Sequence, residues 1–175
     1  GALRVHVMGL DGSHDLGASF EPPPDAGNFV PGPVLVRVFP NPAGPEPAQE
    51  FVEVFNMADV PVELEGCELT DSLEKAGDLL PAYTLAPGAR VRIAGKGYAC
   101  DLPGEPPCDV EVVVLGSSLA SGGLSNGGEP LYLFDAWGQL VSRYGGWVDT
   151  SKSPGVPVWR TAIAACDIAS NWRLQ

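Results

Sequence analysis

The chain has 175 residues, including 22 Gly and 18 Pro, and carries 10 Lys and Arg against 22 Asp and Glu, for a formal charge of -12. So many turn formers exclude a helical bundle and suit short strands joined by turns, while the length allows one core plus an extension rather than two complete domains. The acidity excludes the basic surface that phosphate-backbone binding requires, so no nucleic-acid partner is expected, and no apolar run reaches the roughly 20 residues of a membrane-spanning helix.

Residues 3–8 (LRVHVM) alternate as a strand does, and Asp11-Gly12 begins a turn. A strand without neighbours must pair with something, so this one is expected to dock on a sheet edge or to end a preceding domain. Residues 20–27 (FEPPPDAG) then form a semi-rigid proline linker. The expected organisation is an N-terminal strand and linker over 1–32 and a β-domain over 33–175. No charged-then-apolar segment opens the chain, which is the look of a mature or excised piece.

Within the main domain the predicted strands are Val34 to Phe39, Glu50 to Asn56, Val62 to Leu64, Cys67 to Thr70, Arg90 to Ala94, Val110 to Leu115, Leu131 to Asp135, Gln139 to Tyr144 and Trp172 to Leu174. Ala86-Pro-Gly-Ala89 suits a type II turn, and Asp135-Ala-Trp-Gly138 a hairpin of type I turn plus glycine bulge. Residues 150–171 show no period and are interrupted by Ser153-Pro154 and Val156-Pro157, so they read as an extended return leg with at most one helical turn over Thr161–Ala165. The whole is an antiparallel β-sandwich.

The order of these words, VLVRVFPNP (34–42), QEFVEVFN (49–56) and VELEGCELTD (62–71), followed by YTLAPGARVRIAG (83–95) and GLSNGGEPLYLFDAWGQLV (123–141), resembles the lamin tail domain. The resemblance runs from about Val34 to the C-terminus, and residues 123–141 are its most specific part. It implies the immunoglobulin-like sandwich found in nuclear lamins and in many bacterial extracellular proteins. Where that family has an aromatic residue after the glycine of the third word, this chain has Cys67, which points to a disulfide there. The chromatin association of animal lamin tails is not carried over, because the charge opposes it.

The four cysteines, Cys67, Cys100, Cys108 and Cys166, lack the CxxC or Cys-His spacing of a zinc site, and both histidines (His6, His14) precede the main domain. An even count in an acidic, turn-rich chain predicts two disulfides and an oxidising compartment. Cys100 and Cys108 flank the turn-rich DLPGEPP loop and are paired on that ground, leaving Cys67 with Cys166.

Residues 116–120 (GSSLA) lack the glycine that closes a serine elbow, and no His follows His14 to serve as its base or that of a cysteine nucleophile. Carboxylate pairs such as Glu50 with Glu53 or Asp71 with Glu74 are expected on a solvated face. Residues 122–128 (GGLSNGG) lack the Lys-Ser ending of a phosphate loop and read as a tight approach to the next strand. Asp101, Glu105 and Asp109 carry carboxylates of the kind that bind calcium, but the EF-hand pattern is absent. Trp137 sits at a hairpin tip, where it either folds back over the sheet edge, the commoner arrangement, or acts as a contact residue. Trp147, Trp159 and Trp172 are expected to pack as core or lid residues.

The functional expectation is a non-catalytic interaction or spacing module of a secreted or surface bacterial protein. It is monomeric, without cofactor or bound metal, and meets a protein or glycan at the cell surface. The alternatives are an accessory domain of an extracellular hydrolase or nuclease whose catalytic part lies outside this chain, and a carbohydrate- or calcium-dependent adhesion module.

Overall fold

The computed structural model describes residues 7–9, 12–14, 31–163 and 167–175, and divides the chain into Gly1–Val30 and Pro31–Gln175. In the first unit β1 (Val7–Gly9) pairs antiparallel with β2 (Gly12–His14), Met8 opposite Ser13. Of the expected strand over residues 3–8, Val7 and Met8 have this local partner, and the rest lies outside the described residues. The proline linker and Cys166 lie outside the described residues.

Pro31–Gln175 is an all-β sandwich. One sheet has six strands, in the order β10 (Glu111–Val114), β9 (Arg90–Ala94), β4 (Phe51–Asn56), β3 (Pro33–Phe39), β13 (Val158–Arg160), β14 (Trp172–Leu174). The other has four: β12 (Leu140–Gly145), β11 (Pro130–Phe134), β6 (Glu68–Thr70), β7 (Asp78–Leu79). A ribbon of β5 (Val62–Glu63) and β8 (Thr84–Leu85) completes it. Pairing is antiparallel except at one edge, where β10 runs parallel to β9, a correction to the expected all-antiparallel arrangement. The 16 residues between β9 and β10 cross over so that the second strand re-enters in the same direction.

Alternation decides which residues face in. On β4, Val52 and Val54 enter the core while Phe51 and Glu53 face the other way. Strict alternation on β3 would send Leu35 and Val38 to opposite faces, but a bulge between Leu35 and Arg37 restores both to the core, opposite Val54 and Val52. The four-stranded sheet contributes Leu69, Leu131, Leu133 and Tyr144, and Leu64, Leu85, Val91, Ile93, Val158 and Trp172 complete the same cluster. At the bulge the Leu35 N–H donates to Ser142 Oγ at 3.1 Å, which fastens β3 to β12 of the facing sheet, and Arg160 Nη1 of the neighbouring β13 donates to Leu35 O at 3.4 Å.

The two anticipated turns are present. Ala89 N–H donates to Ala86 O at 3.1 Å. At the β11–β12 hairpin Asp135 Oδ1 accepts from Trp137 N–H at 2.9 Å and Gln139 N–H at 2.8 Å, and Gly138 takes φ 77, which a side chain would resist. β7, β8 and β13 are additions to the predicted strands. β13 lies within the supposed return leg, between β3 and β14; with only three residues after Pro157 it shows no period, and its pairing comes entirely from its neighbours. Thr161–Ile163 are not helical.

Cys100 and Cys108 are joined as anticipated. The expected partner of Cys67, Cys166, lies outside the described residues, and Cys67 stands unbridged. It is a free thiol turned into the core, with Sγ 3.8 Å from Glu63 O, and burial first, then the Asp135 charge, push its pKa up. It fills the core as a small apolar side chain. Among the described residues no helix is long and apolar enough to cross a membrane.

Candidate functional site

The outward face of the six-stranded sheet is not a solvated face. A row of side chains runs across it from β13 to β9 in register: Trp159, Arg37, Glu53, Arg92. Glu53 is fully buried, and three guanidiniums share it. Oε1 accepts from Arg37 Nη1 at 2.9 Å and from Arg92 Nη2 at 2.8 Å, while Oε2 accepts from Arg90 Nη1 at 3.2 Å. The arginines also stack on rings: Arg92 Cζ lies 3.9 Å from the Phe51 centroid and Arg37 Cζ 4.1 Å from that of Trp159. Burial, more than the opposing Glu53 charge, lowers the Arg37 pKa, although a guanidinium stays protonated at any ordinary pH.

The segment 98–109, closed by the disulfide, covers this row. Tyr98 packs edge-on to Phe51 with centroids 6.0 Å apart, and beside it Phe39, Ala94 and Val112 make a small second core. Arg92 Nη1 donates to Tyr98 Oη at 2.5 Å and Nη2 to Pro107 O at 3.0 Å. The loop thus hydrogen-bonds the buried guanidinium from one side while Glu53 holds it from the neighbouring strand.

Beside the cover the face opens into a cleft of about 460 Å³. Gly104, Glu105, Pro106, Pro107 and Asp109 form one wall, and Gly155, Pro157, Trp159 and Gln175 the other, with Arg37 between them. Two polar atoms there are buried without a protein partner, Arg37 Nε and Glu105 Oε2, although Glu105 Oε1 accepts from Gly44 N–H at 2.5 Å. The opposite wall is tied to the body by Gly155 N–H, which donates to Asn41 O at 2.8 Å.

Glu50 shows a second treatment of a buried carboxyl. Only 2% exposed, it accepts from Leu124 N–H at 2.6 Å, and burial, with smaller contributions from Glu46 and Glu129, raises its pKa to about 8. Glu129, raised mainly by burial, accepts from Ser125 N–H at 2.6 Å, and Glu46 Oε1 from Asn126 Nδ2 at 2.9 Å. The glycine-rich loop 122–128 is therefore clasped by this chain's own carboxyls. Gly123, at φ 110, leaves no room for a Cβ, which would come within 2.9 Å of Glu50 Oε2. The expectation that Glu50 and Glu53 are solvated is thus corrected, since one is surrounded by guanidiniums and the other is protonated at neutral pH.

The remaining candidates separate. Asp101 Oδ1 accepts from Cys108 N–H at 3.5 Å, Glu105 faces Gly44, and Asp109 lies 3.5 Å from Arg90; among the described residues no group of three His, Cys, Asp or Glu is placed to hold a metal. Ser117 Oγ donates to Asp78 Oδ1 at 3.0 Å. Trp137 does not fold back: it is 84% exposed at its tip. Trp172 packs in the core against Tyr144, and Trp147 lies edge-on to the same ring, whereas Trp159 lies half-buried in the cleft. The sequence reading does not single out Arg37, Glu53 and Trp159 as a group; the signal is present in the alternation of FVEVFN and RVRIA, which places Glu53 and Arg92 on the face opposite the valines.

No protein-family model matches the chain, and no curated protein matches it.

Proposed function

We propose that the chain is a non-catalytic, lamin-tail-like interaction module of a secreted or surface bacterial protein, and that the β11–β12 hairpin tip is its contact surface. The observation that carries this reading is Trp137, a large indole 84% exposed on a turn that Asp135 pins through two backbone N–H groups. A rigid exposed aromatic is suited to anchor a protein partner because little side-chain freedom is lost on contact. The disulfide and the turn-rich acidic surface support an extracellular setting, and the order of the sequence words supports the lamin-tail type.

A catalytic reading has one observation in its favour, the carboxyl of Glu50 with its pKa near 8 beside that of Glu129. Both are already engaged by backbone N–H groups of the glycine-rich loop. Holding that loop is the simpler role. The test is a screen of the chain and Trp137→Ala against surface-protein and peptide libraries, beside activity assays with esters, glycosides, peptides and nucleic acids. Partner binding lost in Trp137→Ala is expected; hydrolysis above a denatured control, abolished in Glu50→Gln, would favour the enzyme instead.

A further inference from the structure

We infer that the open edge of β10 is a docking site for an extended peptide segment of basic and apolar residues, supplied by a partner protein and added to the six-stranded sheet as a further strand. In a parallel pair each strand turns the N–H and C=O of every second residue to its neighbour. Leu115 N–H donates to Ala94 O at 2.8 Å, so Glu111, Val113 and Leu115 address β9, and the backbone groups of Val112 and Val114 point to the open side. Among the described residues no hydrogen bond answers them. The long edge of the other sheet is guarded, since the Arg143 N–H on the outer side of β12 is taken by Asp167 Oδ2 at 3.0 Å. Residues 110–115 (VEVVVL) contain neither Pro nor Lys nor a bulge, the devices that blunt an edge. Main-chain groups left open in this alternation are matched by another extended strand.

The charges and side chains around the edge select the composition of that strand. A cleft of about 380 Å³ lies beside it, lined by Asp78, Leu79 and Pro81 at the margin of the facing sheet and by Val114, Gly116 and Ser117. Leu79 is 68% exposed and Val114 49%, apolar surface that an added strand would cover. Glu111 stands at the start of the open stretch, where its Oε2 accepts from Tyr83 Oη at 2.7 Å, and Asp78 meets its end, where Oδ1 accepts from Ser117 Oγ. Neither carboxylate belongs to an ion pair among the described residues. Successive side chains of an added strand lie on opposite faces, those beside Glu111 and Val113 on the core side and those beside Val112 and Val114 on the outer side. The matching segment is therefore basic beside Glu111, apolar beside Val113 and Leu115, and basic again beside Ser117 and its partner Asp78. Two copies of this chain paired through β10 would bring together charges of -12, so a basic strand is favoured over self-association.

This edge is separate from the hairpin tip, with different contacts and different variants, so either reading can fail without the other. The experiment titrates the nitrogen-15-labelled full chain with the capped heptapeptide KTVTVTK, and with ETVTVTE as its acidic counterpart. KTVTVTK is expected to bind and to slow hydrogen exchange at the Val112 and Val114 amides. ETVTVTE should bind about tenfold more weakly at low salt, with the gap narrowing as salt rises. Glu111→Gln keeps an oxygen for Tyr83 and loses the charge, and should weaken KTVTVTK about two- to fivefold. Val114→Pro removes an outward N–H and leaves the β9 ladder intact, and should weaken it about tenfold or more with circular dichroism unchanged. A change in the peptide alone covers the case in which that variant fails to fold: N-methylation of alternate amides, either those of the Val or those of the Thr residues, should abolish binding for one set and spare it for the other. Absence of binding at millimolar concentration, equal binding of the two peptides, equal effects of the two methylated sets, or shifts confined to the Trp137 hairpin would overturn the inference. So would a dimer of the chain protected at the Val112 and Val114 amides, which would give the edge to a second copy.

Discussion

Glu53 and Glu50 lie three residues apart, one within β4 and one just before it, and both are buried, yet the molecule treats them oppositely. Around Glu53 it gathers Arg37, Arg90 and Arg92, roofs them with the disulfide loop and leaves a cleft at the side. Around Glu50, among the described residues, it gathers backbone N–H and other carboxyls and no cation, and the group holds its proton instead. Burying a carboxylate needs either countercharge or protonation. The first produces a charge-dense layer whose parts depend on each other, and the second a clasp whose strength depends on pH.

The sharpest way to break this comparison is to neutralise each carboxyl in turn. Glu53→Gln leaves three guanidiniums over a buried face without their shared anion, and a loss of roughly 3–5 kcal/mol is expected in urea unfolding at pH 7. Glu50→Gln replaces a protonated carboxyl by a group that can still accept from Leu124 and needs no proton, so a loss under about 1 kcal/mol is expected at pH 4 and none at pH 7. For scale, Leu35→Ala on the core face of the same sheet should cost about 2–5 kcal/mol. Equal costs for the two glutamate variants would end the distinction.

The next effect is in pH. The Glu50 pKa is raised in the fold to about 8, against about 4.3 in an unfolded chain. Between those values the native state holds a proton that the unfolded state has released, so stability is fully present below the lower pKa and falls as pH rises through the window, by at most about 1.4 kcal/mol per unit. The raised Glu129 adds in the same direction. The difference between parent and Glu50→Gln, measured by denaturant unfolding at several pH values, isolates this contribution. A difference that stays constant between pH 5 and 8 would sink it.

Opening the roof is a smaller perturbation. Replacing Cys100 and Cys108 by Ser should cost roughly 2–3 kcal/mol on the chain-entropy model. Hydrogen exchange should rise selectively over residues 98–109, while the core amides of β11 keep their protection; uniform acceleration would mean that the roof and the core form one cooperative unit. Smallest of all, Trp137→Ala should leave stability within about 0.5 kcal/mol, because the side chain is exposed and contributes no core packing. A larger loss would show that the tip is structural.

Much of the sandwich is legible in the sequence, and the parts that are not have physical reasons. Arg90 to Ala94 and Trp172 to Leu174 coincide with β9 and β14, because alternation and flanking turns mark them. β7 and β8 are two residues long and β13 three, too short for a period, and their pairing is set by strands distant in sequence. The bulge on β3 is invisible in an alternating VLVRVF, yet it determines that Leu35 and Val38 share a face. The candidate sites show the same limit. A turn signal locates Trp137, and a short proline-rich loop locates the Cys100–Cys108 bond, because both are local. Cys67 pairing, the Glu53 cluster and the cleft depend on residues more than ten positions apart meeting across strands, and composition alone suggests solvated carboxylates where the fold buries them.

The most direct test of the contrast is a carbon-13 carboxyl NMR titration of the glutamates in the folded chain. A resonance assigned to Glu50 with its midpoint at about 8 is the expected result; a Glu50 midpoint in the ordinary carboxylate range, near 4.3, would contradict the claim that this buried carboxyl is accommodated by keeping its proton.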